Sequence, residues 1–192
     1  MEPNSLLQIL HLAERLKNNP RHCWTSAGRR ESVAEHSWRL CLMAILVRDE
    51  FPQADMDKVL RMCVIHDLGE MFTGDVPCFE KTDAHEQAEA EALQNWTAQL
   101  PPPYNTEFAA LYVEMDELQT VEAKLYKALD NLEAVIQHNE SDIATWLPLE
   151  YDLQLTYGVD KVAFSPWLQQ LKAAIDAETR AKIEAAAPAQ PQ

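Results

Sequence analysis

The sequence predicts an all-α fold, a single globular helical bundle. Three observations predict it. The 192 residues include four glycines, apolar residues recur at helical spacing along almost the whole chain, and runs of alternating Val, Ile and Thr are absent. A hydrophobic content of 47% excludes a disordered chain. A chain of this length buries roughly two-thirds of its unfolded surface in one domain. No internal repeat or shift in composition marks a second domain, so residues 1–185 are expected to form one, followed by a frayed tail at 186–192.

In chain order, Leu6, Leu7, Ile9, Leu10, Ala13 and Leu16 suit one face of a first amphipathic helix, which Asn18-Asn19-Pro20 stops. Residues 20–31 look irregular and basic, a place for a functional loop. Ser32-Val33-Ala34-Glu35 has the capping-box pattern, in which the serine accepts from a first-turn amide and the glutamate reaches back to the cap amide. The helix it opens should run from about Val33 to Asp49. Because it is apolar nearly all round from Leu40 to Val47, it is the expected buried centre of the bundle. A third helix is predicted over about Ala54–Leu68, with Gly69 suited to break it. Residues 70–82 then form a connection containing Thr73-Gly74-Asp75. Asp83 and Glu86 could cap a fourth helix that ends before the rigid Pro101-Pro102-Pro103. Helical patterning resumes at 105–118, 120–139 and 142–156, and again after Ser165-Pro166, where proline is tolerated at the first helical position.

The 31 acidic and 16 basic side chains give a formal charge of −15. Such a surface repels polyanions, which argues against a nucleic-acid or anionic-membrane partner. The first 50 residues hold seven basic and six acidic groups, so an anionic ligand is expected to meet the N-terminal quarter. Cys23, Cys41, Cys63 and Cys78 form no CxxC pair and read as reduced thiols of a cytoplasmic protein. The longest apolar run, Leu40–Val47, is far short of the ~20 residues a membrane span requires, and the N-terminus lacks the pattern of a secretory signal.

Three places resist the reading of a plain helical bundle. His36 opens an apolar stripe that continues through Leu40, Met43, Ala44 and Val47; a satisfied core histidine is the simpler account. Met62-Cys63-Val64-Ile65, apolar on every side, runs directly into His66-Asp67. Burying that imidazole and carboxylate is costly unless each finds a partner, and either a mutual hydrogen bond or a divalent cation would serve. In the helix at 120–139, Asp130 points away from the stripe Val121, Leu125, Leu129, Leu132 and Ile136. Its neighbours on that face are Ala123, Tyr126 and Ala134, which suggests a second contact surface, with Glu122 and Glu133 at the flanks.

His36 within Glu-Ser-Val-Ala-Glu-His-Ser, His66-Asp67-Leu68-Gly69-Glu70, Thr73-Gly74-Asp75 and Asp130 within Lys-Ala-Leu-Asp-Asn-Leu-Glu, in this order, resemble the signature of HD-domain metal-dependent phosphohydrolases. The similarity is greatest to the 5′-deoxynucleotidase branch and its eukaryotic HD domain-containing relatives. The motif-bearing core is about 5–140, and residues 141–185 are C-terminal helices. The resemblance implies an HD-type bundle with His36, His66, Asp67 and Asp130 as metal ligands. It also implies Glu70 as general acid/base beside Asp67, with substrate held by Arg21 at the phosphate, Trp24 against the ribose 2′ position and Asp75 at the 3′-hydroxyl. Arg29 or Arg30 could take the phosphate instead, because this loop is shorter than that of the bacterial enzymes.

Two imidazoles and two carboxylates suit one divalent ion such as Mn, Fe, Co or Zn. His85 and His138 fall on polar faces and are read as solvated. His11 and His22 have no ligand partner nearby in sequence. Two-metal members of the resembling family add histidines between the HD pair and the last aspartate, where only His85 occurs here, so the resemblance implies a single metal. The implied activity is hydrolysis of (deoxy)ribonucleoside 5′-monophosphates by metal-activated water. Two alternatives are open: a phosphohydrolase of another small phosphate such as a guanosine polyphosphate alarmone, or a helical interaction protein with a structural metal. Glu70, Arg21 and Asp75 favour catalysis, since a structural site needs none of them. The resemblance also implies a homodimer, for which Trp146, Leu147, Leu149, Tyr151 and Leu153 could supply contact unless they simply pack a C-terminal helix.

Overall fold

The computed structural model describes residues 1–186. Of the expected frayed tail, Ala186 closes the last helix, and the remainder lies outside the described residues. The all-α expectation is met apart from one short hairpin. The chain forms two compact units, residues 1–22 with 31–126, and residues 23–30 with 127 onward.

In the first unit, α1 (Pro3–Ala13) and α2 (Arg15–Asn18) replace the one helix expected there. Leu16 is buried against Val33 and Met71, whereas Leu6, Leu7 and Leu10 are exposed. Residues 20–31, read as irregular, are ordered as β1 (Pro20–Trp24) and β2 (Arg30–Ser32), paired as a hairpin. Three to five residues are too few to show alternation in sequence. The turn between them is closed by Thr25 N–H donating to Arg29 O at 2.7 Å, with Gly28 at φ 79°, where a side chain would be strained.

The capping box is present: Ser32 Oγ accepts from Glu35 N–H, and Glu35 Oε2 accepts from Ser32 N–H at 2.9 Å. It starts α3 (Val33–Val47), which is not buried all round. Val33, His36, Leu40, Ala44 and Val47 face inward, while Trp38, Leu42, Ile45 and Leu46 are exposed. A helix packed on one side buries one stripe, and apolar composition does not by itself choose how many. The helix α4 (Met56–Ile65) lies against α3 and is capped by Asp55, which accepts from Lys58 N–H. Val64, expected inside, is exposed for the same reason.

Gly69 is not the predicted break. Its backbone is helical and leads into α5 (Glu70–Thr73). A Cβ there would lie 2.8 Å from Glu89 Cγ, so glycine is needed for close approach to α6 (Asp83–Ala98). Thr82 and His85, rather than Asp83 and Glu86, form the cap of that helix. The helix α7 (Tyr104–Glu117) packs on α6 and α4.

The helix α8 (Val121–Glu140) contributes residues to both units. It is buried on opposite faces as predicted, Ala123, Leu129 and Leu132 being fully inaccessible. Glu133, expected at a flank, is also fully buried.

In the second unit, α9 (Glu150–Thr156), α10 (Val159–Val162) and α11 (Pro166–Ala186) pack together. Lys172 of α11 is 3% exposed. Its Nζ donates to Gln154 O at 3.1 Å and to Leu155 O at 3.4 Å, two carbonyls at the end of α9, and pairs with Asp176. Asn139 Nδ2 donates to Ile175 O at 3.1 Å, tying α8 to α11. Trp146 is buried, with Nε1 donating to Ser141 Oγ at 3.0 Å, so packing explains it. Leu147 and Leu149 are exposed.

Candidate metal centre

His36 lies one turn into α3, on the stripe that the capping box turns inward, and is fully buried. His66 and Asp67 follow the last residue of α4. Tyr112 of α7 reaches that helix end, its hydroxyl donating to Ile65 O at 2.9 Å. Burial above all, then the charge of Asp67, raises the tyrosine pKa, so the hydroxyl stays a donor. The residues on either side of the metal candidates are thus fixed by ordinary helix-end bonding.

Three potential ligand atoms converge. His36 Nε2 is 3.2 Å from His66 Nε2, His66 Nε2 is 3.0 Å from Asp67 Oδ2, and His36 Nε2 is 3.9 Å from the same oxygen. Ligand atoms about 2.0–2.2 Å from one transition-metal ion are separated by such distances. The second nitrogen of His66 sharpens the fit: Nδ1 lies 2.9 Å from Cys63 O, which can only accept. Nδ1 therefore carries the proton and Nε2 presents a lone pair, the tautomer a metal requires. Two imidazoles and a carboxylate so arranged suit a borderline-soft divalent ion.

Glu70, first residue of α5, is 8% exposed. Asn19 Nδ2 donates to its Oε2 at 3.4 Å and to its carbonyl at 3.3 Å. Burial first, and then the neighbouring carboxylates Asp67, Asp75 and Glu89, push the Glu70 carboxyl up to about 9 against the pull of Arg21. Asp75 follows Gly74, and its amide donates to Asn19 Oδ1 at 3.2 Å. Its carboxyl is likewise raised, mainly by burial, although Arg21 and the amide of His22 oppose this. Arg21 itself pairs with the buried Glu31 at 3.2 Å.

Of the predicted site residues, the first unit brings together Arg21, His36, His66, Asp67, Glu70 and Asp75. Trp24 and Asp130 belong to the second unit. Trp24 O accepts from Gln137 Nε2 at 2.7 Å, and the Arg30 guanidinium lies 5.2 Å from the ring centroid. Asp130 is 9% exposed, with Oδ2 accepting from Lys127 Nζ at 2.8 Å. Arg29 is exposed and donates to Arg30 O.

Sequence reading missed Asn19 and Glu31. The first looked like a helix stop, the second a loop charge, and no local pattern connects either to its partner. It also misplaced His138, which is buried rather than solvated: the polar face of α8 meets Glu150 and Cys23. His85 is exposed, as expected.

Comparison with known proteins gives the geometry a context. The HD domain family profile matches residues 13–172. A human protein named 5′-deoxynucleotidase HDDC2 is 32% identical over 188 residues, covering 95% of this chain and 90% of the relative. The Schizosaccharomyces pombe 5′-deoxynucleotidase hdd1 is 31% identical over 141 residues, 69% of this chain and 70% of its own. A solved structure described as a predicted metal-dependent phosphohydrolase, from Magnetospirillum magnetotacticum, superposes with a TM-score of 0.78 at 27% identity, covering 93% of each chain.

Proposed function

The chain belongs to the HD domain family of metal-dependent phosphohydrolases, and we propose that it hydrolyses deoxyribonucleoside 5′-monophosphates to nucleoside and phosphate. The observation that carries this reading is the convergence of His36, His66 and Asp67 with the buried Glu70 one turn further on. The names of the 5′-deoxynucleotidase relatives supply the substrate class. Asp130 is proposed as fourth ligand on its sequence motif and its own burial.

A divalent ion held by these ligands would polarise the phosphate and lower the pKa of the attacking water. The rest falls to side chains. Burial and the neighbouring carboxylates raise the Glu70 carboxyl, which suits it to give a proton to the departing 5′-oxygen. Asn19 keeps that carboxyl oriented. Arg21, its guanidinium steadied by Glu31, offers several donors to the phosphate. Arg30 is occupied on the face of Trp24, which favours Arg21 for the phosphate and stiffens the indole as a wall against a 2′-hydroxyl. Asp75 accepts from the 3′-hydroxyl.

The protein is read as cytoplasmic, without a nucleic-acid or membrane partner; among the described residues no helix is long and apolar enough to cross a membrane. A homodimer is proposed, supported by the exposed apolar stripe of Trp38, Leu42, Ile45 and Leu46. Residues 1–185 are proposed to act as one HD domain, because the family profile runs through both units.

The test is phosphate release from a panel of ribo- and deoxyribonucleoside 5′- and 3′-monophosphates and a guanosine polyphosphate, each with Mn, Co, Fe or Zn. Turnover confined to 5′-monophosphates with deoxy preferred supports the proposal. Turnover of the polyphosphate alone overturns it.

A further inference from the structure

The second unit contains a buried chain of three reactive groups that the phosphohydrolase site does not use. Cys23 Sγ, at the end of β1, lies 3.2 Å from His138 Nδ1. On the other side of the ring, His138 Nε2 lies 2.9 Å from Glu150 Oε1. The remaining oxygen of Glu150 accepts from Leu147 N–H at 2.6 Å. Cys23 is 4% exposed, His138 9% and Glu150 1%. Trp146 presents its ring at 70° to the imidazole, with centroids 5.9 Å apart.

The proton positions follow from these contacts. A glutamate that accepts from a backbone amide at one oxygen and faces an imidazole with the other is stabilised as a carboxylate. It therefore requires a proton on Nε2. The other nitrogen lies 3.2 Å from the sulfur and 3.3 Å from Ala134 O, either of which would accept from a proton on Nδ1. Transfer of the thiol proton to Nδ1 makes the ring an imidazolium and the sulfur beside it the acceptor. Burial alone would lower the histidine pKa, but the contacts with Cys23 and Glu150 outweigh it and raise the ring to about 10.

We propose that Cys23, His138 and Glu150 form an activated-thiol site, separate from the phosphohydrolase residues, at which hydrogen peroxide oxidises Cys23 to a sulfenic acid. The order nucleophile, imidazole, orienting carboxylate is what thiol activation requires, because the thiolate is the reactive species and a neighbouring cation stabilises it. The thiolate sulfur attacks one peroxide oxygen; the S–O bond forms as the O–O bond breaks. The departing hydroxide takes the proton from His138, leaving water, a neutral imidazole and Cys23 as sulfenic acid. Sulfur is oxidised by two electrons and peroxide reduced by two. Near-complete burial excludes bulky electrophiles. The site does not depend on the nucleotide reading.

The experiment uses the full chain at about pH 6, where an ordinary thiol is only about 0.3% thiolate. Far-ultraviolet thiolate absorbance is compared between wild type and Cys23→Ser, and peroxide oxidation is followed for each cysteine by trapping sulfenic acid on unfolding and peptide mass spectrometry. Wild type should show thiolate absorbance that Cys23→Ser lacks. Cys23 should be oxidised at least ~10-fold faster than the exposed Cys78. His138→Gln or Glu150→Gln, with folding checked by circular dichroism, should bring Cys23 below Cys78. Equal absorbance of wild type and Cys23→Ser, or Cys23 oxidised no faster than Cys78 in wild type, overturns the proposal whether or not the variants fold. Unchanged Cys23 oxidation in either folded variant also overturns it.

Discussion

His66 in the first unit and His138 in the second are both histidines beside a carboxylate, yet their surroundings prepare them for opposite tasks. His66 gives one nitrogen to a backbone carbonyl, Cys63 O, and aims the other at His36 and Asp67. That leaves a lone pair, the property of a ligand. His138 meets proton acceptors on both sides, Glu150 at Nε2 and Ala134 O with Cys23 at Nδ1. With the ring protonated, as proposed for the thiol site, both nitrogens donate. The second nitrogen of His66 shares its space with another imidazole and a carboxylate, whereas His138 spends its two nitrogens on a carboxylate and a thiol.

The largest expected effect tests that division directly. His66→Ala should lose the divalent ion and, because the metal is worth several kcal/mol to the transition state, at least ~10³-fold of turnover. His138→Gln should keep its metal. Elemental analysis of both proteins, purified without added metal, checks this; metal loss in His138→Gln would erase the distinction.

Next come the carboxylates. Glu70→Gln should retain the ion and lose about 10²–10⁴-fold in turnover, as a proton-transfer residue does. Glu150→Gln should leave turnover largely intact but cost about 3–5 kcal/mol of stability, since it strands a buried cation. Steady-state kinetics paired with urea unfolding separates the two outcomes, and slow turnover in a fully stable Glu150→Gln would contradict the assignment.

The pH dependence of stability sharpens the comparison further. A histidine whose folded pKa is raised contributes stability that is complete below its unfolded value, about 6.5, and is lost as pH rises through the folded value of about 10. With Cys23 held as a thiolate, as proposed, the folded pair binds no more protons than the unfolded pair until unfolded thiols ionise near about 8.5. Unfolding free energy should therefore stay level from about 6.5 up to that pH and fall by about 2 kcal/mol from there to about 10. In His138→Gln the slope should flatten; an equally steep slope in the variant would assign it to another group.

The smallest effect concerns Trp24, next to Cys23 in the same strand. Trp24→Ala should reduce deoxy-over-ribo selectivity by about 1–3 kcal/mol, chiefly by admitting the ribonucleotide. Arg21→Ala should weaken both sugars alike. Equal slowing of both sugars by Trp24→Ala would make the indole a packing residue.

The first unit's cluster was legible in sequence because each part sits in a local pattern. His36 follows a capping box, His66-Asp67 ends an apolar helix, and Glu70 lies one turn on. The cluster in the second unit was not, because Cys23, His138 and Glu150 are far apart along the chain and only tertiary packing unites them. His138 looked solvated since helical periodicity reports the polarity of a face, not what covers it. The same limit explains α3: Leu46 and Leu40 are indistinguishable as letters, yet one is 72% exposed and the other inaccessible. The hairpin escaped because its strands are too short for alternation to register.

Lys172 has a consequence for chemical footprinting. Its ammonium group is enclosed by two carbonyls of α9 and a carboxylate of its own helix, whereas amine-reactive reagents need an accessible, deprotonated nitrogen. In native protein it should be the slow lysine, skipped by acylation while a solvent-facing lysine such as Lys17 is labelled. The moment at which it becomes labelled then reports when α11 separates from α9, a clock for local opening that needs no engineered probe.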